Sequence, residues 1–97
     1  MKQLTVYCSR DLEKRVISAF DEVDLEGYVH LGGATGHKFL PGDQVPRTMT
    51  WEASVFVVPS APEDRIARVV DSLKLYAGSC EIEPCIRIVT SDVEQAY

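Results

Sequence analysis

The residues of this 97-residue chain that could do chemistry gather mainly in one stretch, Gly32-Gly33-Ala34-Thr35-Gly36-His37-Lys38. Glycines let backbone N–H groups come close to an anion, and Lys38 adds a positive charge. No Lys-Ser/Thr pair follows the last glycine, so this is not a Walker A loop. A loop rather than a helix is expected after it, so it is not a dinucleotide fingerprint either. With two more cations added from further along the chain, the expected ligand-binding set is Gly32, Gly33, Gly36, Lys38, Arg47 and Arg87. The competing reading is a mobile hairpin loop.

His30 and His37 are the two histidines, and imidazole is a common metal ligand. Their spacing of seven matches no local metal motif. Symmetry in an oligomer would be needed to gather copies, and the plain alternative is a polar strand residue and a solvated loop residue. Cys80 and Cys85 form a C-x4-C pair, at the edge of structural-zinc spacing. Fully extended, those five steps span about 17 Å, well beyond the roughly 6 Å of a disulfide, so a turn at Glu83-Pro84 would be required. Cys8, at the end of the first strand, is expected near Cys80 at the start of the last. Buried small apolar residues are the competing reading for all three thiols. Glu81 and Glu83 would raise a neighbouring thiol pKa, which argues against a reactive thiolate. No base is readable beside a Ser, Cys or Thr nucleophile. The carboxylate pairs Asp21/Glu22 and Glu63/Asp64 fall on exposed helical positions, so the chain does not read as an enzyme.

Composition narrows the classes further. Ten Lys+Arg against fifteen Asp+Glu give a formal charge of −5, and no dense basic cluster is available for nucleic acid. No apolar run of about 18 residues exists for a transmembrane helix. The apolar run at the N-terminus is too short for a signal peptide, so a cytoplasmic location is expected. Three cysteines, an odd number, fit reduced thiols better than a secreted disulfide framework.

The elements that would position these residues follow from periodicity. Residues 3–8 alternate as a strand, with Leu4, Val6 and Cys8 on one face. Ser9 is a helix N-cap candidate, and Leu12, Val16, Ala19, Phe20 and Val23 repeat at helical spacing over Arg10 to Val23. Residues 28–31 alternate again. From Gly32 to Thr50 the glycines and prolines break the pattern, and nineteen such residues predict a long functional loop. Trp51 to Val58 reads as a third strand ended by Pro59. Ser60 and Glu63 form a capping-box pattern before a second helix carrying Ile66, Val69, Val70, Leu73 and Tyr76. Gly78 is a candidate stop, and Ile82 to Thr90 reads as the fourth strand.

The order βαββαβ predicts a single α+β domain over 1–97, a ferredoxin-like sandwich with antiparallel sheet order 4-1-3-2 and both helices on one face. By parity, Leu4, Val6, Val29, Leu31, Ile86 and Ile88 face the helices. Thr5, Tyr7, Tyr28, His30, Arg87 and Val89 face away, joined by either Phe56 and Val58 or Trp51, Val55 and Val57. That second face is too aromatic and apolar to stay wet, which predicts a homo-oligomer. Trp51 is expected as a strand anchor or in the intersubunit face, with ligand stacking as the other reading.

Several segments resemble the PII signal-transduction family. Val23-Asp24-Leu25-Glu26-Gly27-Tyr28-Val29-His30 is similar to its helix end and strand entry. Gly32-Gly33-Ala34-Thr35-Gly36-His37 is similar to the start of its T-loop, here residues 33–50. Val57-Val58-Pro59 with Glu63, Asp64, Ile66, Val69 and Val70 resembles its third strand and second helix. Arg87-Ile88-Val89-Thr90-Ser91-Asp92-Val93-Glu94-Gln95 resembles its fourth strand and the "VEQ" segment. The resemblance covers most of the chain, in order. It implies a homotrimer that binds nucleotides in clefts between subunits, without chemistry of its own. It also implies a long loop reaching to a regulated enzyme or transporter, the latter by peripheral contact at a membrane. An adenine nucleotide is the implied ligand, with no obligatory cofactor. Arg87 matches the family's B-loop lysine, while the link Gly78-Ser79-Cys80-Glu81 is short and acidic where the family is basic. The family's later arginines are expected to be missing beyond the VEQ-like segment. The alternative within the same fold is a metal-tolerance protein of the CutA-like or efflux-associated type, using His30, His37, Cys80 and Cys85.

Overall fold

A computed structural model of the chain describes residues 1–40, 47–77 and 86–97. Its elements are β1 (Lys2–Ser9), α1 (Glu13–Glu22), β2 (Val29–Leu40), β3 (Arg47–Ala61), α2 (Glu63–Leu73) and β4 (Ile86–Asp92). Short 3-10 turns lead into α1 and follow α2. The sheet is four-stranded, in the order β2-β3-β1-β4, and every pairing is antiparallel. Read from the other edge this is the expected 4-1-3-2.

The core lies between the sheet and the two helices. Leu4, Val6, Phe56 and Val58 from the strands meet Val16, Phe20, Ile66, Val69 and Leu73 from α1 and α2. Each helix shows one apolar stripe at a spacing of three to four residues, so packing against the sheet is what holds it.

The caps differ from the expected ones. The residue preceding α2 is Pro62, not Ser60, because β3 continues through Ala61. Pro59 does not end the strand. The pairing steps from Lys2↔Ala61 to Leu4↔Val58, so β3 carries one extra residue there. Proline tolerates a bulge, where a ladder N–H is not needed. Ser9 precedes the first 3-10 turn but makes no side-chain cap, and its buried hydroxyl has no partner among the described residues.

Two larger corrections concern β2. First, the stretch expected as irregular from Gly32 to Thr50 is largely paired: β2 runs to Leu40, β3 begins at Arg47, and their register extends to Leu40↔Arg47. The result is an antiparallel ribbon that extends the molecule to 47 Å along its longest axis. The glycines hid it because they carry no alternating side chains. Second, the parity of this strand is the reverse of the expected one. His30 pairs with Phe56 on the helix side, while Val29 pairs with Val57 and Leu31 with Val55 on the open face. The edge of the core is closed by rings: Tyr28 packs 4.9 Å from Phe20, and His30 stacks on Phe56 at 4.1 Å. Of the two options for β3, Val55 and Val57 occupy the open face and Phe56 and Val58 the core.

Candidate ligand site at the root of the ribbon

The glycine pair sets the geometry of the site. Between Leu31↔Val55 and Ala34↔Ala53, β2 takes three steps while β3 takes two. Gly33 takes a positive φ of 71°, a conformation in which a side chain would be strained. This is a glycine bulge. It shifts parity by one, so Ala34 and Gly36 fall on the same open face as Leu31. Gly36 then lies opposite Trp51. A Cβ at Gly36 would collide with Cε2 of the Trp51 indole, so the ring lies directly over the glycine.

Beside this pair, β1 contributes Tyr7, which is flanked by Val55 on β3 and Arg87 on β4. Together these residues line a cavity of about 310 Å³ on the open face. That volume is at the small end of ligand pockets. Its walls are mostly apolar, from Tyr7, Ala34, Trp51, Ala53 and Val55, and Arg87 is the cation on its lining. Among the described residues Arg87 makes no ion pair. The rim behind Trp51 is polar, with Arg10 and Glu52 paired at 2.8 Å.

Of the six residues expected to bind ligand, the fold brings Gly36 and Arg87 together in one cavity. Gly32 and Gly33 form the bulge that puts Gly36 on that face. Lys38 and Arg47 lie further out along the ribbon, paired with Met49 and Leu40. Trp51, Tyr7 and Val55 are among the lining residues that the ligand-binding set omits. The signal for Trp51 was present in the sequence as a lone tryptophan at the return of the glycine stretch.

The metal candidates do not assemble among the described residues. His30 lies on the helix side, 3.6 Å from the Glu13 carboxylate, which also accepts a hydrogen bond from the Ser54 hydroxyl. His37 is exposed on the ribbon opposite Thr50. No group of three potential metal-binding side chains occurs among the described residues. Cys80 and Cys85, the link at 78–81 and the residues expected to open the last strand lie outside the described residues. Cys8 is a buried free thiol, paired in register with Ile86; its expected neighbour Cys80 lies outside the described residues. Burial pushes its pKa up to about 11, helped by the charges of Glu13 and Asp11. It therefore stays protonated at neutral pH and has no reactive thiolate. Among the described residues no helix is long and apolar enough to cross a membrane.

No protein-family model matches the chain, and no curated protein matches it. Solved structures do. One is CPII, a nitrogen regulatory PII-like protein from Thiomonas intermedia K12, bound to ADP, AMP and bicarbonate. It is 11% identical, with a TM-score of 0.63 over 99% of this chain and 94% of that one. The apo form of the same protein aligns with a TM-score of 0.66 at 13% identity, over 95% of this chain and 87% of that one. The GlnK–ATP complex of B. subtilis aligns with a TM-score of 0.68 at 10% identity, over 95% of this chain and 80% of that one. The chain has the PII-like fold. At such identities the side chains of the site are this chain's own, and a PII-like backbone here presents Trp51 and Tyr7 in the cavity that Arg87 also lines.

Proposed function

We propose that this chain is a PII-like regulatory protein. It binds an adenine nucleotide or a small anion at clefts between the subunits of a trimer, and signals to a partner enzyme or transporter through the β2–β3 ribbon. The observation that carries this reading is the cavity at the ribbon's root, which Gly36 and Arg87 both line. A ligand there touches both β2 and β3 where the ribbon leaves the sheet, so occupancy biases the ribbon's position. The likeness to CPII and GlnK, solved with nucleotides and in one case bicarbonate, supports the ligand class. The open face supports the oligomer, since its apolar side chains need cover. No residue arrangement for catalysis enters the reading.

The test is a thermal-shift and calorimetric panel of AMP, ADP, ATP and bicarbonate on the full chain. A ligand at a hundred times its dissociation constant stabilises by about 2.7 kcal/mol, which a melting curve resolves. Binding of at least one of the four is the expected result. Absence of any heat or shift across the panel overturns the reading.

A further inference from the structure

The cavity at the ribbon's root has two properties that together select a ligand class. Its walls are apolar and carry two aromatic side chains, Tyr7 and Trp51. Its charge comes from Arg87 alone among the described lining residues. Gly36 is the reason the indole sits where it does, since any side chain at that position would displace it. A flat ring of this kind, pressed against backbone on one side, leaves its other surface or its edge to a ligand. The planar guanidinium of Arg87 on the same lining suits a phosphate or carboxylate.

We propose that Trp51 is the ring-stacking wall and the specificity-determining residue of this site, and that the site takes a planar heteroaromatic ring carrying an anionic group. Arg87 holds that group. This rests on the ligand-binding reading above and narrows it to a nucleotide whose base lies against Trp51. Arg87 is on β4 and Trp51 on β3, so such a ligand bridges the sheet from its edge strand to the ribbon.

The chain contains one tryptophan, so its fluorescence reports on the site directly. Titrating the full chain with adenosine, AMP, ADP and ATP is expected to quench that emission for AMP. Adenosine, lacking the anion, is expected to bind about ten-fold more weakly, the scale of one charge-assisted contact. Calorimetry on Trp51→Leu should show about a ten-fold loss for AMP, the size of one base–ring stacking contact. Trp51→Phe, which keeps a ring, should restore most of it and guards against a folding defect. Arg87→Gln should weaken AMP and leave adenosine unchanged.

AMP affinity untouched by Trp51→Leu overturns the proposal. A changed sedimentation mass with unchanged AMP affinity would assign Trp51 to subunit packing and overturn it too. In each of those cases nucleotide still binds, so the broader reading survives. If none of AMP, ADP, ATP or bicarbonate binds, both fall together.

Discussion

On the helix-covered face of the sheet, Leu4, Val6 and Phe56 are 0% exposed and Val58 is 1% exposed. On the open face of the same sheet, Tyr7 is 47% exposed, Val29 50%, Leu31 54% and Val89 48%. Both faces are built from β-branched, leucine and aromatic residues, and both satisfy the same backbone ladder. Only the presence of α1 and α2 distinguishes them. The side chains of the open face are therefore of the interior kind without an interior to fill. It is also the face that carries Gly36, Trp51 and Arg87, so whatever covers it passes close to the candidate site.

The largest test of that contrast compares neighbours on β3. Phe56→Ala empties the centre of the aromatic cluster formed with Phe20, Tyr28 and His30, and should cost about 3–5 kcal/mol. Val57→Ala, one residue on and facing the other way, should cost less than about 1 kcal/mol in a single chain. Urea unfolding of both variants measures the difference. Equal losses would mean that the two faces are equally buried in solution.

A smaller effect on folding, but a larger one on assembly, is expected from a charge on the open face. The unmodified chain should sediment with the mass of three copies. The double variant Leu31→Glu with Val89→Glu should fall to the mass of one, with its far-ultraviolet circular dichroism unchanged. A single-chain mass for the unmodified protein would end the trimer reading. The same substitution at Val6, on the other face, should unfold the chain outright, because a carboxylate there has neither water nor partner.

Why this contrast was only half legible in the sequence can be traced to particular residues. β1 and β4 alternate cleanly, so Leu4, Val6, Ile86 and Ile88 point inward as their pattern predicts, and the sheet order follows from connectivity. β2 breaks the rule that the most aliphatic face is the buried one. Val29 and Leu31 lie outward because the rings of Tyr28 and His30 are what close the core against Phe20 and Phe56. That choice depends on partners distant in the sequence. The ribbon was hidden for a different reason: Gly32, Gly33 and Gly36 give no alternation to read. Their placement made sense only once the bulge at Gly33 showed which face Gly36 belongs to. Gly36 and Arg87 were recognisable as residue types able to meet an anion. That they share a cavity with Tyr7 and Trp51 depended on register, which no local pattern encodes.

The smallest effect probes the covered face by pH. Cys8 is buried beneath the helices, and its thiol is held protonated up to about 11 against an ordinary value of 9.0. Below the ordinary value, folded and unfolded chains both keep the proton, and this group gives stability no pH dependence. Between the two values the unfolded chain releases the proton while the folded chain retains it. Unfolding is then favoured by proton loss, so stability falls as pH rises, and the loss is complete above the folded value. Tyrosines and lysines titrate in the same range, so the readout is a difference. The melting temperature of the unmodified chain should fall more steeply between pH 9 and 11 than that of Cys8→Ala. Cys8→Ala will start lower, because it leaves a small void beside Ile86, and the gap between the two should narrow as pH rises. Parallel curves would mean that water reaches Cys8, and that the covered face is less tightly closed at this end than Leu4 and Val6 are at the middle of the strand.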